Sequence, residues 1–221
     1  MNKITIQHVE TLLRNRDFDT LVPACHADKQ TWKAVQRSLY STNEDILWPA
    51  IEISAMTVKH WWDEGKEEKV REYIRVLFWS LNDESGGIGW NAPQTIAEII
   101  VLIPDLIDPY GSMMIDRTME EPLLVPSSMW AIGRMGQRIK PAVSFFQELV
   151  LHHLTSDDPE ILGLTAWAMG EVGFEPALPG LNELVGREEL VSIYIRGDFH
   201  QKTVGDWTSL AIAKINSGSI S

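Results

Sequence analysis

The chain has 221 residues, which is enough for one large or two small domains with a substantial core. Hydrophobic residues make up 44% and charged residues 23%, which excludes a disordered, collagen-like or disulfide-scaffold chain. Acidic residues outnumber basic ones by 31 to 19, and the net charge of −12 argues against nucleic-acid and anionic-lipid partners and for a basic protein partner.

In chain order, helices are expected at 4–15, 17–25, 30–41, 44–60, 67–82 and 92–103. A Gly-rich loop covers 83–91, before the sixth of them. Further helices are expected at 109–119, 122–137, 141–155, 159–173, 176–186 and 204–216. A β-hairpin insert near 190–204 follows from alternation of Val191, Ile193 and Ile195 with Ser192, Tyr194 and Arg196. Gly197-Asp198 offers its turn, and the C-terminal residues 216–221 are expected to fray. The start carries no apolar run typical of a signal peptide, and no window approaches the ~18 apolar residues of a membrane span. The lone Cys25 cannot form an intramolecular disulfide, which fits a reducing compartment. A cytoplasmic protein is the expectation.

Five segments repeat one pattern of apolar, small, variable, apolar. They are Ile53-Ser-Ala-Met56, Ile96-Ala-Glu-Ile99, Ile132-Gly-Arg-Met135, Met169-Gly-Glu-Val172 and Ile212-Ala-Lys-Ile215. The small residues Ser54, Ala97, Gly133, Gly170 and Ala213 are spaced by 43, 36, 37 and 43 residues, a period of stacked helix pairs. A small residue at a fixed point of a helix lets the neighbouring helix approach closely. The unit from Asp157 to Leu181 is the clearest. Asp157 or Asp158 caps a helix that has Pro159 in its first turn, Gly173 ends it, and Pro176 opens a second helix. Ile161, Leu164, Ala168 and Val172 share one face of the first helix.

Residues 157–181 resemble the HEAT-like repeat of the phycobilisome-lyase type, with Gly163 where that pattern carries Arg. Residues 120–155 match it less well. The segment from Phe78 to Trp90 resembles a signature of an uncharacterised HEAT-like family. The resemblance implies an all-α fold, an α-α superhelix (HEAT-like or ARM-like solenoid) of about five helix-pair repeats, and no particular chemistry. The expected organisation is a single domain over 1–221. Capping helices cover 1–42, central repeats 43–186, and the hairpin with a C-terminal capping helix 187–221.

Three features bear on function. The first is the loop holding Asp83, Glu84, Gly86, Gly87, Gly89 and Trp90, followed by Asn91 as a helix cap. Its glycines permit close backbone approach, so it serves either as a tight helix connection or as a ligand-binding loop. No strand precedes it and no Lys-Ser/Thr follows, so it is not a P-loop or dinucleotide fingerprint. The second is a tryptophan stripe. Trp130 and Trp167 lie three residues before the small residue, Trp48 and Trp207 six before, and Trp90 seven before. These offsets share a helical face, which makes the stripe an aromatic ribbon for a partner or packing between repeats. The third is a charge ladder, Glu98–Arg134–Glu171–Lys214, formed by the residue after each small one.

Catalytic motifs are sparse. None of the six histidines precedes a Glu, so the His-Glu iron ligands of the HEAT-fold hydroxylase acting on deoxyhypusine are missing. Cys25-His26 with Asp28 is short enough to arise by chance, and His60-Trp-Trp-Asp-Glu-Gly65 is expected to end a helix and expose aromatic surface. No metal ligand set and no cofactor is predicted. The leading expectation is a non-enzymatic protein-binding or scaffold module. It would contact a partner through Trp130, Arg134, Trp167 and Glu171 and through the 83–90 loop. The alternative is a lyase-like or chaperone-like protein handling a tetrapyrrole or small cofactor at that loop. A HEAT-fold DNA glycosylase is disfavoured by the net charge of −12.

Overall fold

The computed structural model describes residues 6–81, 89 and 91–218. The chain divides into two compact units after Ile103. Each expected helix has a counterpart. Among the described residues no helix is long and apolar enough to cross a membrane.

The first unit holds α1 (Ile6–Arg14), α2 (Phe18–Ala27), α3 (Lys29–Ser38), α4 (Glu44–Asp63), α5 (Glu67–Ser80) and α6 (Ala92–Leu102). Short polar side chains set its helix starts. Asp17 accepts from the Thr20 N–H, Asp28 from Thr31 at 2.9 Å, and Asn43 from Asp45 at 2.9 Å. Helix α6 is buried without a break from Ala92 to Ile100, so it is enclosed rather than amphipathic. Asn91 stands at its N-cap position but does not cap it. Its amide instead donates to the Leu39 carbonyl at 2.8 Å. Ser54 is more than a space-maker. Tyr73 Oη donates to Gln36 (2.6 Å), Gln36 to Ser54 Oγ (2.9 Å), and Ser54 Oγ to the Ala50 carbonyl (2.7 Å). Burial pushes the Tyr73 hydroxyl's pKa upward, which keeps it a donor in this chain.

The second unit holds α7 (Ile107–Thr118), α8 (Val125–Met135), α9 (Lys140–Phe145), α10 (Gln147–His152), α11 (Pro159–Val172), α12 (Leu178–Asn182), the strands β1 (Leu190–Ile195) and β2 (Asp198–Thr203), and α13 (Val204–Gly218). The expected helix over 141–155 breaks at Phe146, whose ψ of 24° leaves the helical range. Val143 and Val150, on either side of the break, are both fully buried. The expected helix over 176–186 shrinks to α12 behind a 3₁₀ turn, because Pro176, Pro179 and Gly180 are poor helix formers there.

Helix α11 organises this unit. Asp158 caps it through the Glu160 N–H at 2.9 Å, and Gly173 ends it in the left-handed region at φ 66°. Its burial is unbroken from Leu162 to Gly170, so the expected one-sided face is in fact an enclosed helix. Small residues make that possible. A Cβ on Gly163 would lie 2.9 Å from a Val191 methyl, and one on Gly170 would lie 2.6 Å from the Ala211 Cα. A Cβ on Gly133 would collide with the Trp167 ring. Gly170 therefore meets Ala211 and not Ala213, which is exposed, so the repeat aligned on sequence is two residues out of register in α13.

The hairpin forms as predicted, with its turn one residue earlier. Ile195 pairs with Asp198, so Arg196 and Gly197 make the two-residue loop, with φ of 52° and 104°. Positive φ at both central positions suits the twist of a tight hairpin.

The contact at Gly170 yields a prediction. Gly170→Ala should cost about 1–3 kcal/mol by overpacking, measured by urea unfolding. Gly186→Ala, where an added Cβ meets nothing within 4 Å, should stay within about 0.5 kcal/mol of wild type.

Candidate functional site

The second unit contains a cleft of about 420 Å³. Its floor is made of the small residues Gly133, Gly170 and Ala211, where α8, α11 and α13 come closest. Arg134, Glu171 and Lys214 flank that floor, and the hairpin contributes Tyr194, Arg196, His200 and Lys202. Trp167 and Trp207 complete the aromatic part of the wall. A second hollow of about 570 Å³ shares Gly170, Glu171 and Lys214 and adds Gln137, Lys140 and Glu175. The two hollows adjoin at those three shared residues.

Indole N–H groups fasten the hairpin over α11. Trp130 Nε1 donates to the Tyr194 carbonyl at 2.7 Å, and Trp207 Nε1 donates to the Val191 carbonyl at 3.1 Å. Both bonds are buried, where an unmatched carbonyl is costly. Trp130 also lies beside Trp167, with ring centroids 6.4 Å apart. Trp167 Nε1 is buried and has no hydrogen-bond partner among the described residues. Lys202 Nζ stands 5.8 Å from the Trp207 ring centroid, at the outer range of a cation–π contact.

The tryptophan ribbon is packing where it can be seen. Trp48, Trp130, Trp167 and Trp207 are only 8%, 3%, 7% and 3% exposed. Large flat rings fill the gaps between stacked helices, and burial wins over display. Of the two tryptophans expected to expose aromatic surface at the end of α4, Trp61 is buried and Trp62 is half-buried. Among the described residues the exposed tryptophan is Trp79 on α5, at 80%, which has no place in the stripe.

Of the sequence-predicted site residues, Arg134, Trp167 and Glu171 come together in the cleft. Trp130 sits behind its wall. Asp83, Glu84, Gly86, Gly87 and Trp90 lie outside the described residues. Gly89 belongs to the first unit, where its N–H donates to the Ser80 carbonyl at 2.9 Å and a Cβ would strike the Ser80 side chain. Of the charge ladder, Glu171 and Lys214 form an ion pair, and Glu98 is buried in the first unit. Sequence reasoning missed Arg196, His200 and Lys202. The only signal for them was their place on the hairpin, whose packing partner has no sequence mark.

The described titratable groups of the cleft present charge rather than a nucleophile. Cys25, in the first unit, is buried, and desolvation with a push from Asp28 raises its thiol to about 12 against a weaker opposing bond from Thr57. The thiol stays protonated at neutral pH and is a poor nucleophile or ligand. One group of possible metal ligands occurs among the described residues, His26, His60 and Glu64 in the first unit.

No protein-family model matches the chain, and no curated protein matches it in sequence. Solved structures do share its fold. A designed armadillo repeat protein in complex with the peptide (KR)4 superposes with a TM-score of 0.60 at 15% identity, covering 96% of this chain and 91% of the other. An engineered protein aligns with a TM-score of 0.58 at 14% identity, over 98% and 94% of the two chains. A computationally designed armadillo repeat protein made for modular peptide recognition gives 0.52 at 15% identity, over 95% and 94%. The fold is an all-α, armadillo-like helical-repeat solenoid with one small antiparallel hairpin.

Two outcomes follow from these contacts. Trp130→Phe keeps a six-membered ring but removes the indole N–H bond to the Tyr194 carbonyl, and should lower unfolding free energy by about 1–3 kcal/mol in urea titration. Cys25 should resist a thiol reagent at pH 8 in the native chain and react fully once the chain is unfolded.

Proposed function

We propose that the chain is a protein-binding module whose second unit receives an extended, acidic segment of a partner in the groove across α8, α11 and α13. The observation that carries this reading is the charge of the ≈420 Å³ cleft. Arg134, Arg196, Lys202 and Lys214 surround it against one carboxylate, Glu171, which Lys214 already pairs. The net charge of −12 points to a basic partner, but it is summed over the whole chain. Charges on other faces are screened beyond about 8 Å at physiological ionic strength, so the cleft lining governs what can enter. The likeness to designed armadillo proteins, one of them in complex with a peptide, supports a peptide-sized ligand.

The test is a titration with the peptides (DE)4 and (KR)4, followed by tryptophan fluorescence and calorimetry. The acidic peptide should bind more tightly, and Arg196→Glu with Lys202→Glu should weaken it at least about tenfold, which corresponds to roughly 1.4 kcal/mol. Tighter binding of (KR)4, or no binding of either peptide, overturns the reading.

A further inference from the structure

The first unit brings together three side chains that the sequence keeps apart. His60 and Glu64 lie four residues apart at the C-terminal end of α4, so they share one face. His26 comes from the last turn of α2, which packs against α4. One donor atom from each of the three lies within 4.8 Å of the other two. The imidazole rings meet edge to face, with centroids 4.4 Å apart at 88°. His26 Nε2 stands 3.4 Å from Glu64 Oε1, while Lys66 donates to the other carboxylate oxygen at 2.9 Å.

The chemistry of this donor set is specific. An ordinary ion pair needs one imidazole and one carboxylate. Here two imidazoles from different helices converge on the same carboxylate. Two nitrogens and one oxygen make the protein part of an open zinc site, which keeps its fourth position for water. His26 Nδ1 is buried with no hydrogen-bond partner among the described residues. Nε2, which stands 3.4 Å from Glu64 Oε1, is the His26 nitrogen placed to ligate. Zinc bonds of about 2.0–2.2 Å need donors roughly 3.3 Å apart. His60 and Glu64 are exposed and can close that gap by side-chain rotation.

We propose that His26, His60 and Glu64 form a binding site for a zinc-class divalent metal ion, which clasps the end of α2 to the end of α4 in the first unit. Site and clasp are independent of the groove in the second unit, so either can fail without the other.

The experiment is calorimetric titration of the chelator-treated full chain with zinc chloride, paired with thermal unfolding. The wild type should take up one zinc per chain and show a raised unfolding midpoint at saturation. His60→Ala and Glu64→Gln, both at exposed positions and checked for folding by circular dichroism, should each weaken binding more than about tenfold and remove the thermal shift. His152→Ala with His153→Ala should bind zinc like the wild type. No zinc uptake by the wild type overturns the proposal. So does uptake that survives both cluster variants, or that disappears only in the His152 and His153 variant.

Discussion

The second unit depends on how closely its helices can approach α11. A helix with ordinary side chains keeps its neighbours about 8–10 Å away and buries one stripe. Helix α11 buries every side, because Gly163 and Gly170 lie under β1 and α13, and Gly133 of α8 receives the flat face of Trp167. Two of these contacts set a backbone or a ring where a methyl group would otherwise be. Dispersion over such surfaces adds up over many small gains, each lost steeply with distance. The same close approach leaves a floor without side chains, and that floor is the bottom of the groove. Tight packing and the site therefore share one cause.

Close packing alone does not hold the hairpin in place. A two-stranded ribbon is marginal by itself in water. Here β1 lies on Gly163, and its Val191 and Tyr194 carbonyls are met by indoles from α13 and α8. The tryptophans thus act at both ends. Their rings fill the space between helices, and their N–H groups donate to two carbonyls of β1. With the strand fixed, the tight turn presents Arg196, and β2 presents His200 and Lys202, along one rim of the groove.

Much of the fold was legible in the sequence, because local chemistry writes it locally. Asp158, Pro159 and Gly173 mark the ends of α11 by capping, a fixed φ and a left-handed residue, and all three do so within a few residues of chain. Period-two alternation marked β1 in the same way. The site was less legible, because it depends on what meets across space. A tryptophan at helical spacing looks the same whether it faces solvent or the next helix, and four of the stripe are buried. Ala213 and Ala211 both fit a small-residue pattern, and only the contact with Gly170 distinguishes them. His26 sits beside Cys25 and Asp28 in sequence, yet its partners in space are His60 and Glu64 on another helix. Asn91 follows the same rule, since a better acceptor on Leu39 draws its amide away from the helix it was placed to cap.

Charge gives the sharpest contrast between a sum and a place. Thirty-one acidic residues outweigh 19 basic ones over the chain, but the sum contains no positions. Four cations gather around the cleft because helix ends and a hairpin tip meet there, and each element brings its own basic residue for local reasons. Arg134 lies in the last turn of α8, where a cation is favoured by the helix dipole, and Lys214 pairs with Glu171. Arg196 occupies the tip of a two-residue turn, where only a solvent-facing side chain fits. Lys202 lays its charge toward the Trp207 ring. Independent local preferences can thus build a cationic cleft on an acidic protein. A partner segment then meets the potential of the groove at contact distance, while the opposite charge of the remaining surface acts mainly on the approach.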